Sequence, residues 1–508
     1  MSARWAWWIR RVAGQRRSGP GPGSRRLDGR VTALGLILAA ALITAPLADG
    51  GQAGEAVVAA SRETGSGHGT SSSRAAGRRN LEGHGGPVHA IVVDRTGRRA
   101  LTGSFDYSAI VWDLTRRPPT VVARLDEHEG WIKAVAFLPD GKRVLTAGGD
   151  GGLYLWQIDG PRLLHRFAGH RAEIADLAAS ADGRWAVTAG RDRTVRVWDI
   201  ENRRAGPVLE GHTGPVNGVC LSGDGTKVYS ASYDGTIRQW DRATGAFERI
   251  VYRHGQGLNA IARIPGTEQL LFGALDGAAG IVDAKGSGRA HMLEAHDGPV
   301  LSLAVIAKPG LAAVASSGRR GKGGLIRVWR IGDWKLVEEY RDPYGPVWAI
   351  AFVDGGTGVY YGGLNDFAVY WQVSPRKPFE LAQGRFPRRF QVGEGASPGA
   401  LQFARKCSLC HTLKPDGRNR AGPTLYGLFG RPAGSLAGYP YSKALRGSGI
   451  VWSEETVTKL FALGPEHYTP GSKMPLQRIK DPKKVEALVA FLKAATRPDG
   501  GAGQAAGN

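Results

Sequence analysis

Between residues 80 and 373 short apolar, β-branched runs alternate with tight turn signals. Ala179-Ser-Ala-Asp-Gly-Arg-Trp-Ala-Val-Thr188 and Leu221-Ser-Gly-Asp-Gly-Thr-Lys-Val-Tyr-Ser230 each predict two half-buried strands joined by an Asp-Gly turn. After residue 396 the period changes. Gly399, Phe403 and Cys407 recur every four residues behind Ser397-Pro398, a cap and a first-turn proline, and so share one helix face. Val485, Leu488, Val489 and Leu492 form an i, i+3, i+4, i+7 stripe behind Asp481-Pro482, a second predicted helix. The segment 374–398, with several Pro, Arg and Gly, reads as a linker.

The strand-rich region repeats. Histidines open successive units at His84, His128, His170, His212, His254 and His296, with spacings of 44, 42, 42, 42 and 42. Units close on Trp112, Trp156, Trp198, Trp240, Trp329 and Trp371; the fifth has Val282-Asp283 there, and a seventh unit begins near Tyr344 without a His. Asp106, Asp150, Asp192, Asp234 and Asp366 fall about six residues before a Trp. Period, turn chemistry and terminal aromatics together resemble the WD40 family over residues 80–373. The resemblance implies a closed seven-bladed β-propeller with four strands per blade. It also implies four buried networks: His84/Thr102/Asp106/Trp112, His128/Thr146/Asp150/Trp156, His170/Thr188/Asp192/Trp198 and His212/Ser230/Asp234/Trp240. Four copies at one period signal architecture rather than catalytic triads. Near the start of each first strand the copies differ: His89, Lys133, Ala175, Asn217, Asn259, Leu301 and Trp348. In the family such positions lie near the channel mouth, where they form either a partner site or unconstrained surface.

Length and charge refine this picture. The 508 residues exceed one ordinary core, so the fold class is multidomain: an all-β propeller followed by an all-α domain. The formal net charge is +22. Eight arginines and one acid in residues 1–30 account for part of it. Behind them runs an 18-residue apolar stretch, 31–48, in the pattern of a secretory signal, with small residues at Ala48, Ala53 and Ala56 for cleavage. The alternatives are an uncleaved membrane anchor and a two-part mitochondrial presequence. Residues 49–79 and 498–508 read as disordered linker and tail. The basic surplus has no nucleic-acid motif beside it, which leaves an anionic membrane or an acidic partner protein as its target.

Three cysteines cannot build a disulfide framework. Cys220 stands where the other first strands have small apolar residues, and reads as a buried hydrophobe. The other two form Cys407-Ser-Leu-Cys410-His411. Two thiols three positions apart add across the two vinyl groups of a haem, and the next residue sets an imidazole on the iron. A CxxC redox pair needs a βαβ context that is missing here. With the two helical patterns and Ala421-Gly-Pro-Thr424 between them, residues 399–497 resemble class I, mitochondrial-type cytochrome c. The resemblance implies one covalent haem c, with His411 and Met474 as axial metal ligands and Pro423 O accepting the imidazole proton. It places Arg431, Tyr441 and Trp452 around a haem propionate, and Gly399 against Leu488 and Phe491 where the helices cross. The sequence departs from the family at Leu445, Leu460 and Leu476, where polar or aromatic residues are usual. Sixteen Lys or Arg against six acids make the domain basic, and Lys406 and Lys473 flank the ligands.

These features predict a periplasmic electron-transfer protein without catalytic residues of its own. Its redox partner presents an acidic docking face, and a further protein docks on the propeller. Membrane contact is expected only through an uncleaved N-terminus. The rival functions are a propeller–cytochrome oxidoreductase with a second cofactor and a redox-sensing scaffold.

Overall fold

The Asp-Gly signals do join strands. In the fourth repeat, Val216–Leu221 pairs antiparallel with Lys227–Ser232, setting Cys220 opposite Tyr229, and Asp224 Oδ1 accepts the Thr226 N–H at 3.1 Å inside the turn. The computed structural model describes residues 79–286, 289–319, 322–375, 396–408, 410–415, 422–439, 441–472, 474 and 478–497. The leader, the 49–79 segment before Arg79, residues 376–395, Lys473, Leu476 and the 498–508 tail lie outside the described residues.

Twenty-eight described strands make seven four-stranded antiparallel sheets. Six are built from four consecutive strands. The seventh takes its outer strand from the far end of the chain: Leu81–Glu82 pairs with Phe367–Gln372, placing Leu81 opposite Ala368. The junction is tied by side chains. Asn80 Oδ1 accepts the Tyr370 N–H at 3.0 Å, the Tyr360 hydroxyl donates to Arg79 O at 3.0 Å, and the Arg79 guanidinium lies 3.7 Å over the Tyr370 ring. The propeller is therefore closed, which removes the sheet edge that an open array would expose.

Its core lies between blades rather than at one centre. Val187, Val195 and Val197 of the third sheet pack against Val216, Val219 and Trp240 of the fourth. Under this packing run the four polar networks. In the second, Thr146 Oγ1 is 2.7 Å from His128 Nε2 and accepts from Trp156 Nε1 at 2.8 Å, while His128 Nδ1 meets Asp150 at 2.7 Å. The sets on His84, His170 and His212 repeat this geometry. Burial alone would raise the Asp106 carboxyl, but the His84 imidazole and the Ser108 hydroxyl outweigh it and hold the group low. Blades five and six depart as the sequence indicated. His254 meets a half-exposed Asp276 at 3.0 Å and the Tyr252 hydroxyl at 3.4 Å, and His296 keeps Ser316 at 3.1 Å. Cys220 is buried, and burial raises its thiol well above the ordinary value.

The C-terminal domain has five described helices: α1 (Pro398–Lys406), α2 (Lys443–Arg446), α3 (Glu454–Leu463), α4 (Pro465–Tyr468) and α5 (Pro482–Ala495). Both sequence-read caps form: Ser397 Oγ accepts from Ala400 N at 3.2 Å, and Asp481 Oδ1 from Lys483 N at 3.1 Å. Ser397 and Pro398, read as the end of the linker, thus already belong to α1. Helices α1 and α5 meet at Gly399, where a Cβ would stand 2.1 Å from Ala487 O and 2.5 Å from Phe491 Cβ. Leu488, Val485 and Leu492 of α5 bury their stripe against Phe403 and Cys407 of α1. No described helix is long and apolar enough to cross a membrane.

Candidate functional site

Helix α1 delivers the first cysteine. Cys407 ends the helix, its N–H donating to Phe403 O at 2.8 Å. The chain then coils tightly, with the Cys410 and His411 N–H groups both donating to Cys407 O, at 3.0 and 2.8 Å. That turn brings two thiols and an imidazole to one cavity. Cys407 is buried and Cys410 half-buried. Burial, and after it the neighbouring Cys410, pushes the Cys407 thiol up to about 12, against a smaller pull from Lys406. Such a thiol is protonated at neutral pH, the opposite of the acidic thiolate a redox CxxC pair uses.

The imidazole is fixed from behind. His411 Nδ1 lies 2.7 Å from Pro423 O, an acceptor only, so Nδ1 carries the proton. Gly422 is required beside it, because a Cβ there would be 2.3 Å from His411 Cε1. Met474 lines the same cavity, as do Leu445 and Leu460, the two departures noted in the sequence. Arg431, Tyr441 and Trp452 stand on its wall too. Arg431 spends two donors on main-chain carbonyls, Thr424 O at 2.7 Å and Tyr426 O at 3.0 Å. The Trp452 N–H donates to Arg431 O at 3.0 Å, locking the two segments together. Burial lowers the Arg431 guanidinium pKa, with Tyr441 opposing it, and burial raises the Tyr441 phenol.

The structure thus gathers all eight sequence-read residues, Cys407, Cys410, His411, Pro423, Arg431, Tyr441, Trp452 and Met474, around one mostly apolar cavity. Two thiols, an imidazole, a thioether and donors at a polar end are the set an iron porphyrin requires, and these residues fit a haem. Leu425, Leu428, Val457, Phe461 and Leu492 complete the walls; their only sequence signal was apolarity. Tyr439 and, from the propeller, Tyr107 also line the cavity, and the sequence reading missed both.

A second cavity opens at the channel of the propeller. All seven variable positions, from His89 to Trp348, line it. In six blades the register slips at this residue, between Val88 and Ala90, Ile132 and Ala134, and so on to Val300 and Ser302. A bulge re-aims the side chain it carries, and here each is turned to the channel. Much of this polarity stitches neighbouring blades: Lys133 Nζ to Glu173 at 2.8 Å, Asn217 Nδ2 to Leu258 O at 3.0 Å and Asn259 Nδ2 to Val300 O at 2.8 Å. His89 stacks on Trp348 with ring centroids 5.0 Å apart, and its pKa falls to about 3, first through burial and then through Lys133. Among the described residues no three His, Cys, Asp or Glu gather to hold a further metal ion.

Comparison with known proteins separates the same two regions. The model of the WD domain, G-beta repeat, matches residues 78–113, 119–157, 161–199 and 206–241. The cytochrome c model matches residues 396–496. Over 108 residues the chain is 42% identical to a cytochrome c of Cochliobolus lunatus, covering 21% of this chain and 98% of that protein. It is 42% identical over 102 residues to a cytochrome c of Arabidopsis thaliana, 20% of this chain and 90% of the relative. A cytochrome c2 of Blastochloris viridis is 38% identical over 111 residues, 20% of this chain and 87% of the relative.

Proposed function

The chain belongs to the cytochrome c family through residues 396–496, and on that premise we propose that it carries single electrons in the periplasm through a haem c held between His411 and Met474. Membership of the family implies covalently bound haem c and haem-based electron transfer, and a WD-repeat propeller implies protein interaction. The observation that carries the finer reading is His411, whose Nδ1 is tied to Pro423 O at 2.7 Å in a cavity shared with Met474.

When bound, the haem supplies the centre that gains and loses the electron. The protein's residues do the rest. Cys407 and Cys410 anchor the group through their sulfurs. Pro423 holds the imidazole ring and raises its basicity. Met474 would supply its thioether to the iron, which would favour the reduced state and leave no open place for substrate. Arg431, Tyr441 and Trp452 donate to a propionate at the polar end. Leu445 and Leu460 keep the surroundings of Met474 dry. The surplus of ten positive charges in residues 399–497 steers the domain to an acidic redox partner. The propeller holds a second protein. The basic leader and apolar run in residues 1–48, outside the described residues, support export as a cleaved signal or a retained anchor.

The visible spectrum of the reduced, haem-loaded chain tests this reading, taken before and after addition of carbon monoxide. A sharp low-spin spectrum that carbon monoxide leaves unchanged is expected, and Met474→Ala should make it shift. A shift in the wild-type chain would sink His/Met ligation and point to sensing or peroxidase-like chemistry.

A further inference from the structure

One side chain of the propeller reaches the crevice of the cytochrome domain. Tyr107 sits in the turn between the second and third strands of blade one, at φ 66°. Blades two, four and five place Gly151, Gly235 and Gly277 at this turn, with φ of 72°, 80° and 93°, and blade three places Arg193 there at 73°. A left-handed conformation strains an ordinary residue, and a bulky aromatic there calls for a compensating contact. That contact is visible. Tyr107 lines the cavity that holds Cys407, Cys410 and His411, beside Tyr439, which packs edge-on to Tyr441 with centroids 4.7 Å apart. Burial raises the phenols of both Tyr107 and Tyr439, and each is raised further by Cys410. Cys407 is buried and Cys410 only half-buried, so the Cys410 side is the open edge of the crevice.

We propose that Tyr107 is a positioning residue that closes the Cys410 edge of the haem crevice, so that the propeller completes the cofactor site and redox reagents reach that edge past blade one. The reading rests on the haem assignment above. A strained tyrosine in place of glycine is retained because its ring covers apolar surface that water would otherwise wet. Covering the edge also lowers the local dielectric, which tunes a haem potential.

Two variants of the full chain test it. Tyr107→Gly restores the residue of three sister blades and relieves the strained turn, so the blade keeps its fold. Tyr107→Phe keeps the ring. In the haem-loaded chain, hydrogen exchange over residues 436–446 should be faster in Tyr107→Gly and at the wild-type level in Tyr107→Phe. In the haem-loaded chain, reduction by ascorbate should speed up several-fold in Tyr107→Gly alone. Exchange and reduction rate both at wild-type values in Tyr107→Gly would overturn the proposal. Changed exchange in a chain that takes up no haem would instead uphold the contact and refute the haem reading beneath it.

Discussion

A hydroxyl at the centre of each propeller network has two jobs. Thr146 accepts from the Trp156 indole and satisfies His128 Nε2, both deeply buried. Thr146→Val keeps the shape and removes both partners at once. Two unsatisfied groups should cost about 2–4 kcal/mol in all, read by urea unfolding followed by tryptophan fluorescence. His296 shows what an incomplete network does. It is 4% exposed, has Ser316 on Nδ1, and its Nε2 has no hydrogen-bond partner. Its pKa falls from the ordinary 6.5 to about 3, first through burial and then through the Arg327 guanidinium. Between those values the unfolded chain binds the extra proton, so stability is lost as pH drops below 6.5, approaching about 1.4 kcal/mol per pH unit from this residue. Thermal unfolding measured from pH 7 to pH 4 should fall less steeply in His296→Gln. An identical slope in both proteins would remove His296 as a source.

At the scale of elements, the crossing of α1 over α5 is set by one missing methyl. Gly399→Ala would gain helix propensity, yet its Cβ meets the backbone oxygen of Ala487, which has no rotamer to yield. The helices must part, at a net cost of about 1–3 kcal/mol, visible as a lower midpoint of helical circular dichroism on heating. Both helices were legible in the sequence because caps and four-residue spacing are local signals. Ser397, Pro398, Asp481 and the Val485–Leu492 stripe all stand where the pattern put them. The strands were legible through Asp-Gly turns and alternation. What alternation concealed was the bulge. A slipped register changes which way His89 or Asn217 points without altering the pattern of apolar residues, so their aim into the channel, and the blade-to-blade bonds of Asn217 and Asn259, came only with the sheet.

For the whole molecule, the ring depends on Leu81. Its side chain is fully buried and pairs opposite Ala368, almost the entire propeller away in sequence. Leu81→Asp should lower stability by about 3 kcal/mol or more, since it removes a core side chain and buries a carboxyl with no partner. Leu81→Met, nearly equal in volume, should stay within about 1.5 kcal/mol of wild type by the same urea assay. Equal losses in the two variants would mean that the closing strand is dispensable.

The sequence by itself determined what is local or periodic. The 42-residue beat and its His, Thr or Ser, Asp and Trp members dictate a blade. The close spacing of Cys407, Cys410 and His411 dictates a turn that gathers their three side chains. The distance from that turn to Pro423 and Met474 was read from a family resemblance, and the fold sets all five residues around one cavity. Tertiary structure alone decided what joins distant segments: the Leu81–Glu82 strand that shuts the ring, the bulges that turn six side chains to one channel, and Tyr107 at the crevice. The physical reason is the same for each. A turn or a helix face is fixed by neighbours in sequence through sterics and hydrogen bonding, whereas closing a ring or covering a crevice is favourable only once residues far apart along the chain have been brought into contact, and no residue carries that contact in its own identity.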